Sequence, residues 1–297
     1  MQFIKKSSFD FMKIRNITFG ISGIMVLIGL IAFVQILRGQ ANLGVDFAGG
    51  SMLQYKAEKS FLLEDVRSAF VRHGWKDITP QHVEDENRLI LKVKTPEERV
   101  GHLGKDLTQV LTQEMPDKAF VLESQSEIGS SISAVLRNKA IQAIAISLLG
   151  VLCYLALRFD LSFGVAAAAA TFHDVLVVLG ICWLLNMEIT LLIVTALLTL
   201  AGYSLNDSVV IFDRIRENIQ KKKEDNFFVI INNSINQVLS RSMVTSLTTA
   251  LVLLSLYFFG GSAIKDFSLT LLTGVLVGTY SSVFIASPIL SFWSRKE

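Results

Sequence analysis

The sequence predicts an α-helical membrane protein: six transmembrane helices, with a ferredoxin-like α+β domain inserted after the first. Three observations carry this. The 297 residues are 51% hydrophobic and 18% charged, with a mean hydropathy of +0.49, which is apolar for a soluble protein. Six apolar runs of roughly bilayer-spanning length lie at 17–37, 140–157, 163–185, 189–212, 243–259 and 269–292. Between the first two runs lies a polar segment, 38–139, with hydrophobic periodicities of its own.

The N-terminal tail, 1–16, carries Lys5, Lys6, Lys13 and Arg15. The run after it, 17–37, is too long for the core of a typical signal peptide and has no small-x-small cleavage site before Arg38, so it reads as an uncleaved first span. In 38–139, strands are expected at 51–56, 78–83, 88–94 and 119–125, and helices at 61–73 and 96–114. Leu89, Leu91 and Val93 alternate with polar or charged neighbours on one side, as in a half-buried strand. Thr95, Pro96 and Glu98 form a helix start signal. The order β-α-β-β-α-β is the split βαβ of ferredoxin-like domains. The segment opens with GVDFAGGS, in which Asp46 and Phe47 precede the pair Gly49–Gly50; the pair permits a tight turn or a close backbone approach.

Residues 140–297 hold the other five spans and a basic connection, 213–242, containing Arg214, Arg216, Lys221, Lys222, Lys223 and Arg241. The short connections on the other side hold only Lys265. The Lys/Arg asymmetry therefore puts both termini in the cytoplasm and the inserted domain outside. Cys153 and Cys182 fall in apolar runs and read as small buried hydrophobes.

Three places in the spans are polar beyond need. Asp207 lies in the second half of 189–212, a run of about 36 Å as a helix, flanked by Gly202, Ser204, Asn206 and Ser208. A charge there costs a few kcal/mol to insert. It serves either as a hydrogen-bonded packing device or as a site that carries a proton or ion. Arg241 opens the fifth span before Ser242, Thr245, Ser246, Thr248 and Thr249. It is either an interfacial anchor or a partner for Asp207 at similar depth. His173–Asp174, midway along the third span, is either packing or part of a proton relay; adjacent residues point about 100° apart and make no two-ligand metal face. Asp213, Arg214, Arg216 and Glu217 read as a solvated helix end. With no metal-ligand cluster, triad or nucleotide motif, no enzyme activity, metal, cofactor or nucleic-acid partner is expected.

GVDFAGG, and GYSLNDSVVIFDRIREN across the end of span four, resemble the SecD/SecF family of bacterial protein-export membrane proteins, in particular its smaller partner, over the full chain. That family belongs to the resistance-nodulation-division superfamily. The resemblance implies a SecD partner, a SecY-centred translocon with its accessory subunits, unfolded preprotein clients, an inner-membrane location and a periplasmic domain at 38–139. It also implies use of the proton- or sodium-motive force. Asp207 with Asn206 matches the Asn-Asp on the family's ion path, Arg241 matches the arginine implicated in that path, His173–Asp174 matches a His-Asp that recurs in the family's third span, and Asp46, Phe47, Gly49, Gly50, Gly202, Asp213 and Arg214 lie in its motifs. Half of a small-molecule or lipid efflux transporter, or a scaffold that spends no energy, are the alternatives.

Overall fold

The apolar runs fold as long helices because a bilayer leaves a backbone no partners but its own. In the computed structural model, which describes residues 9–75, 78–83, 87–93, 103–221 and 226–292, six helices are long and apolar enough to cross a membrane. They are α1 (Arg15–Leu37), α5 (Ser130–Arg158), α6 (Leu161–Leu184), α7 (Leu191–Gln220), α8 (Phe227–Phe259) and α9 (Ser262–Ser281), the last extended by a π-helical turn (Ser282–Ala286) and α10 (Ser287–Leu290). The chain divides into two units, one of Met1–Asn42 with Gln142–Glu297, the other Leu43–Ile141.

In the first unit α1 packs on α6, α6 on α7 and α9, α7 on α8 and α9, and α8 on α9. Two helices start on side-chain caps: the Thr190 hydroxyl accepts from the Ile193 amide at α7, and the Asn226 side chain from the Phe228 amide at α8. Phe159, Phe163 and Phe212 meet edge-on or stacked in the core beside Ile211, Ile215, Ile231 and Ile235. The π turn has a local cause. Pro288 has no N–H for the carbonyl of Phe284, four residues back, and that carbonyl accepts instead from the Thr18 hydroxyl of α1 at 3.4 Å.

Spans four and five run past their expected ends. The connection 213–242 is mostly helix, because α7 continues to Gln220 and α8 starts at Phe227. Polar pairs hold these extensions together: the Asn218 amide donates to Ser234 at 2.8 Å and to Gln237 at 3.0 Å. The N-terminal tail lies on α8, with the Phe11 amide donating to Asn232 at 2.8 Å and Asn236 donating to the Phe9 carbonyl at 2.9 Å. Cys182 is buried as expected, but Cys153 is exposed, because residues 141–150 of α5 are exposed all round and the exposure continues past it.

The second unit holds α2 (Val45–Ala48), β1 (Gly50–Lys56), α3 (Leu63–Arg72), β2 (Ile78–Val83), β3 (Arg88–Val93), α4 (Leu103–Glu114) and β4 (Val121–Ile128). The sheet order is β2-β3-β1-β4 with every pair antiparallel. That is the split βαβ order, with β3 between the two strands that α3 connects. Leu89, Leu91 and Val93 are buried, as their alternation predicts, with Leu53, Tyr55, Val66, Phe70, Leu107 and Leu111. The start signal at Thr95–Glu98 lies outside the described residues. Gly49 (φ 71°) and Gly50 (φ 109°) turn the chain from α2 into β1 in a conformation that suits glycine.

Candidate functional site: two buried carboxylates between α6, α7, α8 and α9

Aspartates at these positions must be satisfied by side chains, because helical backbone has no free donors to offer. Asp174 on α6 is fully buried. Its Oδ1 lies 2.8 Å from His173 Nδ1, and its Oδ2 accepts from the Ser281 hydroxyl of α9 at 2.7 Å and from the Ser204 hydroxyl of α7. Asp207, one turn beyond Ser204 on α7, is 4% exposed. Its Oδ2 accepts from the Ser246 hydroxyl of α8 at 3.4 Å, and Ser246 shares a 2.6 Å hydrogen bond with Thr279 of α9. Small residues allow these helices to approach. A Cβ added at Gly278 of α9 would lie 3.3 Å from Ser204 Cβ, and one at Gly274 only 2.6 Å from the Leu200 side chain.

The two carboxylates therefore sit in one polar belt, each held by hydroxyl donors. The pairing of Asp207 with Arg241 is not formed. Arg241 is exposed, and among the described residues the carboxylate has no ion-pair partner. The cause is helical phase. Ser242 and Ser246, one turn apart, occupy the buried side of α8, while Arg241, about 100° round from Ser242, does not. Asn206 likewise is exposed beside its buried neighbour, as is Gly202, where an added Cβ would meet nothing within 4 Å. Asp213 and Arg214 are more than a solvated end. Arg158 Nη2 at the end of α5 reaches both Asp213 oxygens, at 2.9 and 2.8 Å, and Arg214 donates to Gln237 and Glu217. Asp46 and Phe47 lie in α2, ahead of the glycine pair.

Sequence reasoning missed Ser281, Thr279 and Tyr280. The signal was the polar run Thr279-Tyr280-Ser281-Ser282 inside an otherwise apolar span. The Tyr280 hydroxyl lies 3.1 Å from Ser22 Oγ and donates to the Thr18 carbonyl at 3.2 Å, tying α9 to α1. Among the described residues no group of three or more His, Cys, Asp or Glu is placed to hold a metal ion.

This is a multi-pass membrane protein with an α+β domain inserted between its first two spans. It belongs to the SecD/SecF family: the model of protein export membrane protein SecD/SecF, C-terminal, matches residues 108–296, and that of the SecD/SecF GG motif matches 41–60. The protein translocase subunit SecF of Thermodesulfovibrio yellowstonii is 43% identical over 98% of this chain and 96% of its own length. That of Desulfurispirillum indicum is 38% identical over 95% and 91%. The crystal structure of SecDF, a translocon-associated membrane protein from Thermus thermophilus, aligns with a TM-score of 0.84 at 33% identity, covering 97% of this chain. This chain spans 39% of the length of that one.

Proposed function

We propose that this protein is an auxiliary subunit of the Sec protein translocase, coupling the proton- or sodium-motive force to late steps of preprotein translocation across the inner membrane. It works with SecD beside a SecY-centred translocon and its accessory subunits. Both termini are cytoplasmic, and the domain at 38–139 is periplasmic and meets the unfolded preprotein. The full-length match to SecF-named relatives supports the role in export. The match to a SecDF chain in which this chain corresponds to 39% supports a SecD partner.

One observation carries the coupling: Asp207 is buried in a membrane span and held by a hydroxyl rather than a cation. A carboxylate so placed changes its interactions with α8 when it gains or loses a proton or binds an ion. One charge crossing about 100 mV supplies about 2.3 kcal/mol, which must favour one of two preformed arrangements. Asn206 and Arg241, on the exposed sides of α7 and α8, are the groups of this site that face away from the chain's own core.

The test is export of a secreted reporter in cells depleted of the native protein and complemented with Asp207→Asn. Loss of export, at normal protein level and normal SecD association, is expected. Full export would make Asp207 structural and favour a scaffold that spends no energy.

A further inference from the structure

The second carboxylate is built differently from the first. Asp174 accepts three hydrogen bonds, from an imidazole and two hydroxyls, whereas Asp207 accepts one of 3.4 Å from Ser246, with the buried Ser242 hydroxyl beside it. Burial opposes charge on Asp174 and its three donors favour it. His173 is itself more than nine-tenths buried, its Nδ1 engaged by Asp174, and among the described residues its buried Nε2 has no hydrogen-bond partner. An imidazole with one nitrogen on a carboxylate and the other unpaired has one use for each: the first exchanges a proton with the acid, the second takes one up. Its aromatic neighbour is Tyr280, 6.5 Å between ring centroids, whose hydroxyl reaches Ser22 and Thr18 of α1. That is the α1 side of α6, whereas Asp207 and Ser246 lie between α7 and α8.

We propose that His173 and Asp174 form a second proton-binding site of this chain, separate from Asp207, that takes up a proton at His173 Nε2 and stores it on Asp174. The proposal rests on the coupling reading above and names the ion at a second position in the same polar belt. The step balances simply. A proton binds Nε2, the Nδ1 proton passes to Asp174 Oδ1 across the 2.8 Å bond, and the ring is left neutral with its proton on Nε2. Release runs the same path backwards. Sodium does not suit the site. Hard cations take shells of oxygen lone pairs, and here Asp174 Oδ1 faces an imidazole nitrogen, which offers none. Ser204 donates to Asp174 one turn from Asp207 on the same helix, so the charge of one acid is felt at the other. The other titratable groups on the helices around the pair are Tyr280 of α9 and Asp207 of α7; on α1, Ser22 and Thr18 hydrogen-bond to Tyr280. Asp266 and Cys182 lie about two turns further along.

The experiment is infrared difference titration of the protonated-carboxyl band. It uses the full chain in lipid nanodiscs between pH 5 and pH 9, in potassium and then in sodium. Asp207→Asn should retain a pH-dependent band, and adding Asp174→Asn should abolish it. Adding Asp174→Glu instead should move its frequency, which separates loss of the acid from loss of the fold. His173→Gln in the Asp207→Asn background should shift the midpoint by at least about one pH unit. No titrating band in Asp207→Asn, an unmoved midpoint in His173→Gln, or displacement of the band by sodium each overturns the proposal. Normal export with Asp207→Asn would instead remove the coupling role and leave this band in place.

Discussion

Gly29 of α1 and Gly180 of α6 stand back to back. A Cβ added at Gly180 would lie 2.9 Å from the Gly29 amide nitrogen, and one added at Gly29 would lie 2.2 Å from the Leu176 carbonyl oxygen. This contact sets how closely the first span approaches the helix that carries His173 and Asp174. Lipid provides little hydrophobic drive between helices, so close backbone packing of this kind holds them together.

Gly29→Leu or Gly180→Leu should therefore force α1 off α6, at a cost of about 1–3 kcal/mol. Gly23→Leu, on the same helix with nothing within 4 Å of its added Cβ, should be silent. Thermal unfolding of the purified chain in detergent checks both. Equal melting temperatures for Gly29→Leu and Gly23→Leu would mean that α1 is not held at this contact.

Ser281→Ala removes one of the two hydroxyls from Asp174 Oδ2 and leaves a fully buried carboxylate oxygen with the other. A loss of about 0.5–2 kcal/mol is expected. Ser255→Ala, whose hydroxyl only returns to its own helix at Leu251, should cost almost nothing. The comparison is again of melting temperatures, and a Ser281→Ala protein as stable as Ser255→Ala would show that Asp174 does not depend on the α9 hydroxyl.

In the inserted domain, Arg72 and then His73 beside Glu114 hold its carboxyl below its ordinary value of 4.5. A depressed folded-state value contributes stability that is present above 4.5 and is lost as pH falls through the folded value. Glu114→Gln should thus loosen α3 against α4 at neutral pH, and the difference from the unaltered chain should shrink as pH falls below 4.5 and vanish once it is below the folded value. Raising the salt should shrink it, because the pair is exposed. Amide hydrogen exchange in β1 and β3 of the full chain, followed against pH, reads this directly. A difference that grows as pH falls has the wrong sign for this account.

Most of the fold was legible because it rests on local periodicity. Six apolar runs mark the spans, and Leu89, Leu91 and Val93 mark the strand that pairs with β1. The ends of α7 and α8 were not legible. Their extensions are polar helices held by Asn218, Ser234 and Gln237, and composition alone reads such a stretch as a loop. Asp207 was visible as a charge inside an apolar run. Its partner was not, because a shift of one residue on α8 turns the choice between Arg241 and the serines at 242 and 246 by about 100°, and helical phase comes from packing. The contact between Asp174 and Ser281 joins residues 107 apart in the chain and exists only once α6 meets α9.

The Arg158–Asp213 pair tests how the end of α5 is held. Residues 141–150 of this helix are exposed, so beyond Ala140 its burial resumes only at Leu155, next to Phe159 just past its end. Arg158 has two attachments there: the Asp213 carboxylate, and the Phe159 ring 4.9 Å below its guanidinium. The ion pair is 39% and 45% exposed, so Coulomb attraction across it is worth at most about 1 kcal/mol and is screened by salt. The ring contact adds a cation–π term that Asp213 does not share. Arg158→Ala should therefore destabilise more than Asp213→Asn. The double variant should reveal a coupling of no more than about 1 kcal/mol that shrinks between low and high salt. Arg158→Lys should keep part of the attraction and lose the reach to both oxygens, and so fall between the two. These are melting measurements on four variants at two ionic strengths. A coupling above about 2 kcal/mol that ignores salt would mean the pair is desolvated, and that α5 is anchored at its end far more firmly than its exposure implies.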